Sequence, residues 1–300
     1  MVYIYDLATS SGLILSWFPS LLNTENKQEC SQKAEESRGA RIQLMFENIW
    51  QDVAMAVGFF HVVGPIALRS TFRFATRCEP MSVPVEEMPQ EASSQFAPRI
   101  PQMQSLGFEL IGCFYCGEMA SDTKSFVAYF VNRQTSDFSN VTVVVSPGKV
   151  AGYFEFSTRL TNGTLIETNT NSILPLAPNN PDYRVFRFPK ITEPQALYDL
   201  HRQLLAKYAN GFGAQGEPKG HEIQRMVRVV EQYGARHEKI GYMYLADGGT
   251  HYRLTWKGAC LMTWRALWPT VLVRRILFRQ QMNSELQELH VSGETALQKA

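Results

Sequence analysis

The chain lacks the motifs that usually identify a catalytic or metal-binding site. It contains no Gly-x-Ser-x-Gly nucleophile motif, no glycine-rich phosphate loop and no paired-acid motif, and its six histidines are spread singly along 300 residues. No two histidines have the spacing that a metal ion requires on one face of a helix. We therefore expect a non-enzymatic protein without a cofactor or a metal site, whose histidines lie on the surface or are hydrogen-bonded.

A strong net charge and a disulfide framework are also missing. Lys+Arg 29 against Asp+Glu 28 leaves a net charge of +1, so no overall field attracts nucleic acid or an acidic membrane, and electrostatic recognition has to be local. The five cysteines are odd in number and scattered, which favours a reducing compartment. Cys113 and Cys116 form the one Cys-x-x-Cys sequence, but in a predicted strand, so we interpret both as core cysteines.

The strongest candidate for lipid contact in the amino-terminal part is Val53–Leu68, in which His61 is the only polar side chain. A helix of sixteen residues is about 24 Å long, shorter than the hydrocarbon core of a bilayer at about 30 Å. A spanning helix would leave the rest of the chain cytoplasmic, because three arginines follow at once: Arg69, Arg73 and Arg77. Two alternatives stay open, a membrane-spanning helix and a buried core helix that ends near Pro65.

Polar stretches divide the chain into parts. The second of them holds five of the fifteen prolines, which is typical of a linker. The expected organisation has four parts: a hydrophobic amino-terminal segment at 1–78, a proline-rich linker at 79–104, an α+β sheet domain at 105–210, and a helix–β-hairpin–helix region at 211–300. The first part is the one that could attach to a membrane.

Between Leu106 and Phe188 the composition is typical of β-structure. Aromatic and β-branched residues form short runs that are separated by Gly, Asn, Asp, Ser and Pro, as in an antiparallel meander. The expected strands are 108–115, 126–131, 141–146, 153–161, 164–170 and 183–188. A covering helix is expected to begin around Thr192 and Pro194, with an apolar stripe that faces the sheet.

The dipeptide Asn162-Gly163 predicts a two-residue hairpin turn with positive φ at both residues. That turn sets Phe156 opposite Asn169 and places Glu167 on the same apolar face. A carboxylate on such a face has to pair, accept hydrogen bonds or raise its pKa. Glu167, Asn169 and Phe156 are therefore a candidate ligand pocket between the sheet and the covering helix, unless a neighbouring arginine simply satisfies Glu167.

The region after the covering helix predicts a helix that Gly234 ends and a hairpin that turns at Asp247-Gly248-Gly249. The following run, Tyr252-Arg-Leu254-Thr255-Trp-Lys257-Gly258, resembles the wing strand and exit of winged-helix DNA-binding domains. The resemblance covers residues 194–258. It implies that the preceding helix reads the major groove with three outward side chains: Gln224, Arg225 and Arg228. The alternative is a hairpin that packs on the β domain.

Tryptophan and arginine are concentrated near the carboxyl terminus, where three of the five tryptophans lie between Trp256 and Arg279. Tryptophan suits a boundary between apolar and polar surroundings, and arginine carries an apolar stem under its charge. Five residues are candidates for an interface: Trp264, Trp268, Arg274, Arg275 and Arg279. The helical spacing of Leu261, Trp264 and Trp268 equally fits a core stripe, so docking within the protein is the alternative.

These patterns predict an α+β protein whose antiparallel meander is covered by a helix. We expect a non-enzymatic binding or scaffolding protein at the cytoplasmic face of a membrane, with a membrane surface or a protein as its partner through the carboxy-terminal Trp/Arg helices. A soluble, cytoplasmic regulator that binds nucleic acid through residues 194–258 is the alternative. A ligand-binding domain or enzyme with a pocket near Glu167 is the third hypothesis.

Overall fold

The computed structural model describes residues 51, 55, 58–117, 123–146, 148–178 and 180–289, with only the backbone at Asp247. The fold is mixed α+β, with six helices and two sheets in the described residues. The helices are α1 (58–71), α2 (Gln90–Ser105), α3 (Pro194–Tyr208), α4 (Glu222–Lys239), α5 (Trp256–Ala266) and α6 (Thr270–Glu288). Residues 1–50 and the first part of the predicted segment 53–68 lie largely outside the described residues.

The larger sheet has seven strands in the order β2 to β8. Its strands are β2 (Met81–Ser82), β3 (Glu109–Tyr115), β4 (Lys124–Asn132), β5 (Asp137–Ser146), β6 (Lys149–Arg159), β7 (Leu165–Asn169) and β8 (Tyr183–Arg187). All six strands that the sequence predicts are present, and each pair from β2 to β7 is antiparallel. The expected α+β fold with an antiparallel sheet is therefore confirmed.

The meander ends at β7, because β8 pairs with β7 in parallel. The connecting residues 170–182 cross back over one face of the sheet instead of forming a tight turn. Leu176 and Ala177 of this connection are buried, and the Tyr242 hydroxyl donates to the Leu176 carbonyl at 3.0 Å. The burial of the connection explains why the two strands run in the same direction.

The register of the β6–β7 hairpin differs from the prediction by one residue. The Leu160 N–H donates to the Thr164 carbonyl, so the loop has three residues, and Gly163 alone has a positive φ, at +86°. Phe156 therefore lies opposite Thr168, and Asn169 lies opposite Glu155. Since neighbouring residues of a strand point to opposite faces, a shift of one residue moves Glu167 and Asn169 away from the face of Phe156.

The proline-rich segment is not a linker. Residues 79–104 contain β2, a 3-10 turn at Val85–Glu87 and nearly all of α2, which continues through Pro98 and Pro101. Three apolar side chains of α2 are completely buried against the sheet: Ala92, Phe96 and Met103. This burial outweighs the two backbone donors that the prolines remove from the helix.

The first core lies between one face of the larger sheet and the helices α2 and α3. Helix α3 begins at Pro194 as expected, but Glu193 precedes it and Thr192 gives no capping hydrogen bond. Its predicted apolar stripe is confirmed by the burial of Leu197, Leu200 and Leu204. The sheet contributes several fully buried side chains to this core: Phe130, Phe156, Leu160 and Ile166.

The second core lies on the opposite face of the sheet. It is covered by α4, α5 and a three-stranded antiparallel sheet in the order β1, β10, β9, formed by β1 (Phe74–Ala75), β10 (His251–Leu254) and β9 (Met243–Ala246). The hairpin β9–β10 turns at Asp247–Gly249 as predicted. Phe72 and Phe74 are buried in this core, so the predicted boundary at residue 78 does not separate two packing units.

Helix α4 does not end at Gly234 as predicted, but continues to Lys239. The glycine instead leaves room for Tyr252 of β10, because a Cβ atom at Gly234 would lie 2.2 Å from Tyr252 Cε2. Another close approach joins α5 to the second core, since a Cβ at Gly258 would lie 2.0 Å from the Tyr242 carbonyl oxygen. Glycine thus fixes the helices of this layer against the hairpin.

Candidate functional site

Exposed apolar side chains are concentrated on three adjacent helices. We call this the three-helix surface, and define it as the exposed faces of α1, α5 and 270–279 of α6, together with Trp268. Helix α5 contacts both of the others. In the described residues, thirteen of the nineteen exposed large apolar side chains lie on it: Phe59, Phe60, Val62, Val63, Ile66, Trp256, Leu261, Trp264, Trp268, Leu272, Val273, Ile276 and Leu277.

Helix α1 is apolar on both sides but buried on only one. Its inner side packs on α5, where a Cβ at Gly64 would lie 2.7 Å from Thr263 Cγ2 and the rings of His61 and Trp264 are 5.4 Å apart. Its outer side is exposed, with Val62 at 65%. The alternative of a buried core helix is therefore wrong for the described residues, and this helix also continues past Pro65 to residue 71.

None of the helices in the described part of the chain has the length and apolar character that crossing a membrane requires.

Helix α5 turns its tryptophans outward and approaches the second core through two of its smallest residues. Gly258 and Ala259 are buried, together with one large apolar residue, Met262. Trp264 and Trp268 are 54% and 53% exposed, so the predicted core stripe through these tryptophans is not a core stripe. The close approach of Gly258 to the hairpin explains the reversal, because a helix packs most closely through residues that have little or no side chain.

Helix α6 changes the face that it buries along its length. The apolar face of its first half is exposed, with Leu277 at 58%, whereas Met282, Leu286 and Leu289 pack against the first core. The structure separates the arginines: Arg275 and Arg279 are exposed, while Arg274 Nη1 donates to the Arg265 carbonyl at 3.0 Å.

The three-helix surface carries positive charge alone. Residues 58–71, 256–266 and 268–279 contain no Asp or Glu, but they contain six basic residues: Arg69, Lys257, Arg265, Arg274, Arg275 and Arg279. The Arg69 guanidinium lies 4.6 Å from the centroid of a Trp256 ring, which joins the charge directly to the aromatic side chain. Apolar side chains rimmed by arginine are the result.

The predicted pocket is not assembled as expected, because Phe156 lies in the first core and Glu167 on the opposite face. Glu167 instead lines a cavity of about 540 Å³ between β8, the connection 170–182 and α6. Tyr183, Arg187 and Leu277 also line this cavity. Asn169 donates to Glu167 Oε1 at 2.6 Å, and so orients the carboxylate. A cavity of this size is in the usual range for a small ligand.

A second carboxylate lies beside Glu167. Glu155 accepts a hydrogen bond from the Asn140 amide at 2.6 Å. Burial raises the pKa of Glu155 to about 8, and the neighbouring Glu167 contributes to the increase. Glu155 is therefore largely protonated at neutral pH, because removing a charged carboxylate from water is costly and the nearby charge of Glu167 adds to that cost. Glu167 could be singled out from the sequence, but its pairing with Glu155 depends on the register of the hairpin.

His201 belongs to a buried polar network in the first core. Its Nε2 lies 2.9 Å from Thr158 Oγ1, and its Nδ1 lies 3.0 Å from Thr168 Oγ1. Thr158 also hydrogen-bonds to Asp137, whose other oxygen accepts from Arg202 at 2.9 Å. Burial lowers the pKa of His201 to about 4, so that it is neutral. This histidine is a hydrogen-bonded core residue, as the sequence suggests for the histidines generally.

The candidate residues for groove reading do not share an exposed face. Gln224 and Arg228 are exposed, but Arg225 is only 4% exposed and its guanidinium lies 3.7 Å from the centroid of the Phe138 ring. Arg228 is bonded to Glu217 at 2.7 Å. The predicted outward position of Arg225 is wrong, because the first turns of α4 pack on β5.

The two cysteines of the Cys-x-x-Cys sequence are buried on opposite faces of the larger sheet, in the first and second cores respectively, so the prediction of core cysteines is confirmed. Burial raises the pKa of Cys113 to about 11, which keeps the thiol protonated. Cys116 is hydrogen-bonded to Cys78. No group of three or more possible metal ligands occurs within the described ranges.

The chain matches no protein-family model, no curated protein and no solved structure. Its function is therefore inferred from its own residues.

Proposed function

We propose that the protein is a non-enzymatic binding or scaffolding protein that attaches to the cytoplasmic side of a membrane through the three-helix surface. The observation that carries this proposal is the concentration of exposed apolar side chains on α1, α5 and the first half of α6. A concentration of exposed apolar side chains on adjacent helices of a folded protein is typical of a surface that another molecule covers. Because α1 is packed along α5, the proposed attachment lies in the plane of the interface.

The apolar side chains supply the affinity in this account. Full burial of a Leu-sized side chain stabilises by roughly 1.5–3 kcal/mol, and the side chains concerned are about half exposed, so each would contribute roughly 1 kcal/mol on entering lipid. A few of them are enough for reversible binding, since one myristoyl chain gives an association constant of about 10⁴ M⁻¹.

The charge favours anionic lipid over a second copy of the chain. Two copies that meet through the same surface would bring arginine against arginine, since an isologous contact juxtaposes identical patches. Anionic headgroups instead complement Arg275 and Arg279, each contributing about 1 kcal/mol near the surface. The three tryptophans suit the boundary between headgroups and acyl chains.

Sedimentation with vesicles tests the proposal. The intact chain should bind vesicles of phosphatidylcholine with phosphatidylserine more tightly than vesicles of phosphatidylcholine alone. Replacing Arg275 and Arg279 by Gln should weaken binding to the anionic vesicles by roughly 30-fold, given about 1 kcal/mol for each charge. Replacing Ile276 and Leu277 by Ser should weaken binding to both kinds of vesicle, because it removes apolar contact area.

The matched control replaces two exposed apolar residues elsewhere, Val150 and Phe212, by Ser. This variant should bind like the native chain, and circular dichroism should show all variants folded. Equal loss of binding in the control would contradict the proposal. The molecular mass should also be measured without lipid. A mass that doubles as the concentration of the native chain rises, but not in the Ile276/Leu277 variant, would assign the surface to self-association instead.

A second candidate function is the binding of a small ligand in the 540 Å³ cavity beside Glu167. The cavity combines apolar side chains such as Leu277 with polar groups such as Arg187, which is the usual composition of a ligand site. Filling it by Val185→Trp should abolish the binding of an environment-sensitive apolar dye. Unchanged dye binding in that variant would exclude this cavity as the site.

A further inference from the structure

Arg225 carries a buried positive charge that no carboxylate neutralises within the described residues. It is 4% exposed, and its Nη1 atom has no hydrogen-bond partner in that part of the chain. The guanidinium plane rests on the Phe138 ring at 3.7 Å from the ring centroid. This contact stabilises the face of the guanidinium but does not satisfy the N–H groups of Nη1 on its edge.

An unpaired buried charge is costly, and it usually disappears by a pKa shift or by pairing. Burial lowers the pKa of Arg225; the positive charges of Arg159 and Arg228 act in the same direction, and Tyr129 and the Glu217 carboxylate act against it. Arginine nevertheless keeps its proton at neutral pH, because its ordinary pKa is above 12. Water from the adjoining cavity can accept from the open N–H, but only an anion from outside the described chain would also neutralise the charge.

The arginine borders a cavity of about 260 Å³ that is open to the surface. Five residues line it besides Arg225: two arginines, two glutamines and one acid, which are Arg159, Arg228, Gln215, Gln232 and Glu217. Glu217 is already bonded to Arg228 at 2.7 Å. Three guanidinium groups and one carboxylate give the lining a net charge of two positive charges. Gln215, Arg228 and Gln232 are exposed, so solvent reaches the cavity on their side.

A glycine-rich loop reaches this cavity through Gln215. Residues 211–216 read Gly-Phe-Gly-Ala-Gln-Gly, a Gly-x-Gly-x-x-Gly spacing that follows a helix rather than a strand. The Gln215 N–H donates to the Arg159 carbonyl at 2.7 Å, which brings the loop beside that arginine. A Cβ at Gly216 would lie 2.9 Å from Ser136 Oγ, so the loop docks closely on the turn between β4 and β5. The loop 211–216, the end of β6 and helix α4 therefore each contribute residues to the cavity.

We propose that this cavity binds the phosphate group of a small phosphorylated molecule or free phosphate. Guanidinium groups match phosphate oxygens in bidentate geometry. The surplus of two positive charges fits a phosphate group, which carries about −1.5 to −2 at neutral pH, better than it fits a single carboxylate. The site shares no residue with the three-helix surface, and does not depend on lipid binding.

Thermal unfolding of the intact chain in sodium phosphate, compared with sodium chloride at equal ionic strength, tests the proposal. The midpoint should rise with phosphate, and above the dissociation constant it should rise with the logarithm of the phosphate concentration, because the ligand binds only the folded state. Glycerol phosphate distinguishes the source: tighter binding than inorganic phosphate assigns an organic phosphomonoester, and weaker binding assigns free phosphate. No difference between phosphate and chloride would overturn the proposal.

Three variants sharpen the test. Arg225→Met keeps the apolar stem over Phe138 and should weaken phosphate binding at least about tenfold, as expected for the loss of a charged hydrogen bond. Arg228→Gln, at an exposed position, should also weaken it and keeps the test valid if Arg225→Met fails to fold. Lys239→Gln removes the same charge from the far end of α4 and should bind phosphate like the native chain. Equal affinity in Arg225→Met, Arg228→Gln and the native chain would overturn the site.

Discussion

Gly64 of α1 lies against Thr263 of α5 so closely that a Cβ atom at Gly64 would be 2.7 Å from Thr263 Cγ2. The other side of α1 faces outward at this contact, and Val62, Val63 and Ile66 are exposed there. Because Gly64 has no side chain, this side of α1 can pack on α5, and the opposite apolar side then faces outward. The proposed membrane-binding surface depends on this contact.

Gly64→Leu should separate α1 from α5 and lower the free energy of unfolding by about 1–3 kcal/mol, as overpacking does. Thr263→Ala in the same chain should recover part of the loss, because it removes the methyl group that the new side chain meets. Urea denaturation measures both effects. Gly58→Leu is the control, since nothing lies within 4 Å of a Cβ there, and a loss as large as that of Gly64→Leu would argue against a packing cause.

The hairpin loop between β6 and β7 should depend on Gly163. Its φ of +86° is unfavourable for a β-branched residue, and no atom lies within 4 Å of a Cβ, so the cost is one of backbone conformation alone. Gly163→Val should destabilise the protein by on the order of 1 kcal/mol or more, and Gly163→Asn by less, because asparagine tolerates positive φ. Urea midpoints that do not differ between Val and Asn would contradict this reason.

The contact of Gly234 with Tyr252 should reverse an ordinary helix preference. Alanine is favoured over glycine inside a helix by about 1 kcal/mol. Gly234→Ala should nevertheless destabilise the protein, because its Cβ would lie 2.2 Å from the Tyr252 ring. Adding Tyr252→Leu should reduce the loss. Greater resistance of Gly234→Ala to urea would show that the ring moves aside without cost.

Glu155 should make the protein less stable as the pH rises towards 8. Its pKa is about 8 in the folded protein against an ordinary value of 4.5, so between these values the folded state holds a proton that the unfolded state has lost. The unfolding free energy then decreases with rising pH. His201, with its pKa lowered to about 4, acts in the opposite direction but only below about pH 6.5.

Glu155→Gln should remove this part of the pH dependence, because glutamine preserves the acceptor for Asn140 but does not ionise. Urea denaturation above about pH 6.5 isolates the contribution of Glu155 from that of His201. Parallel pH curves for the native chain and Glu155→Gln in that range would contradict a raised pKa.

The strands could be predicted from the sequence because aromatic and β-branched runs between turn residues are a local signal. The sheet face on which each side chain lies was less predictable. One loop residue between Leu160 and Thr164 decides whether Glu167 lies beside Phe156 or beside Glu155, and Asn162-Gly163 is compatible with loops of two or three residues. The parallel strand β8 depends on a long connection buried on one face, which no local pattern specifies.

The periodicity of apolar residues did not predict which faces of the helices are buried either. Leu261, Trp264 and Trp268 have core spacing but are exposed, because the small face of α5 is the one that approaches the hairpin. Arg225 has the position of an outward residue but lies under Phe138. The glycine spacing at 211–216 is present in the sequence, and its meaning depends on the arginines that the fold brings beside it.

Quenching of tryptophan fluorescence by brominated lipid tests the central claim most directly, because it reports whether these side chains enter the acyl region of the membrane. The native chain bound to anionic vesicles should be quenched, and replacing Trp256, Trp264 and Trp268 together by Phe should remove most of that quenching while the protein still sediments with the vesicles. Vesicle-bound native chain without quenching, or equal fractional quenching after the triple replacement, would contradict lipid contact through the three-helix surface.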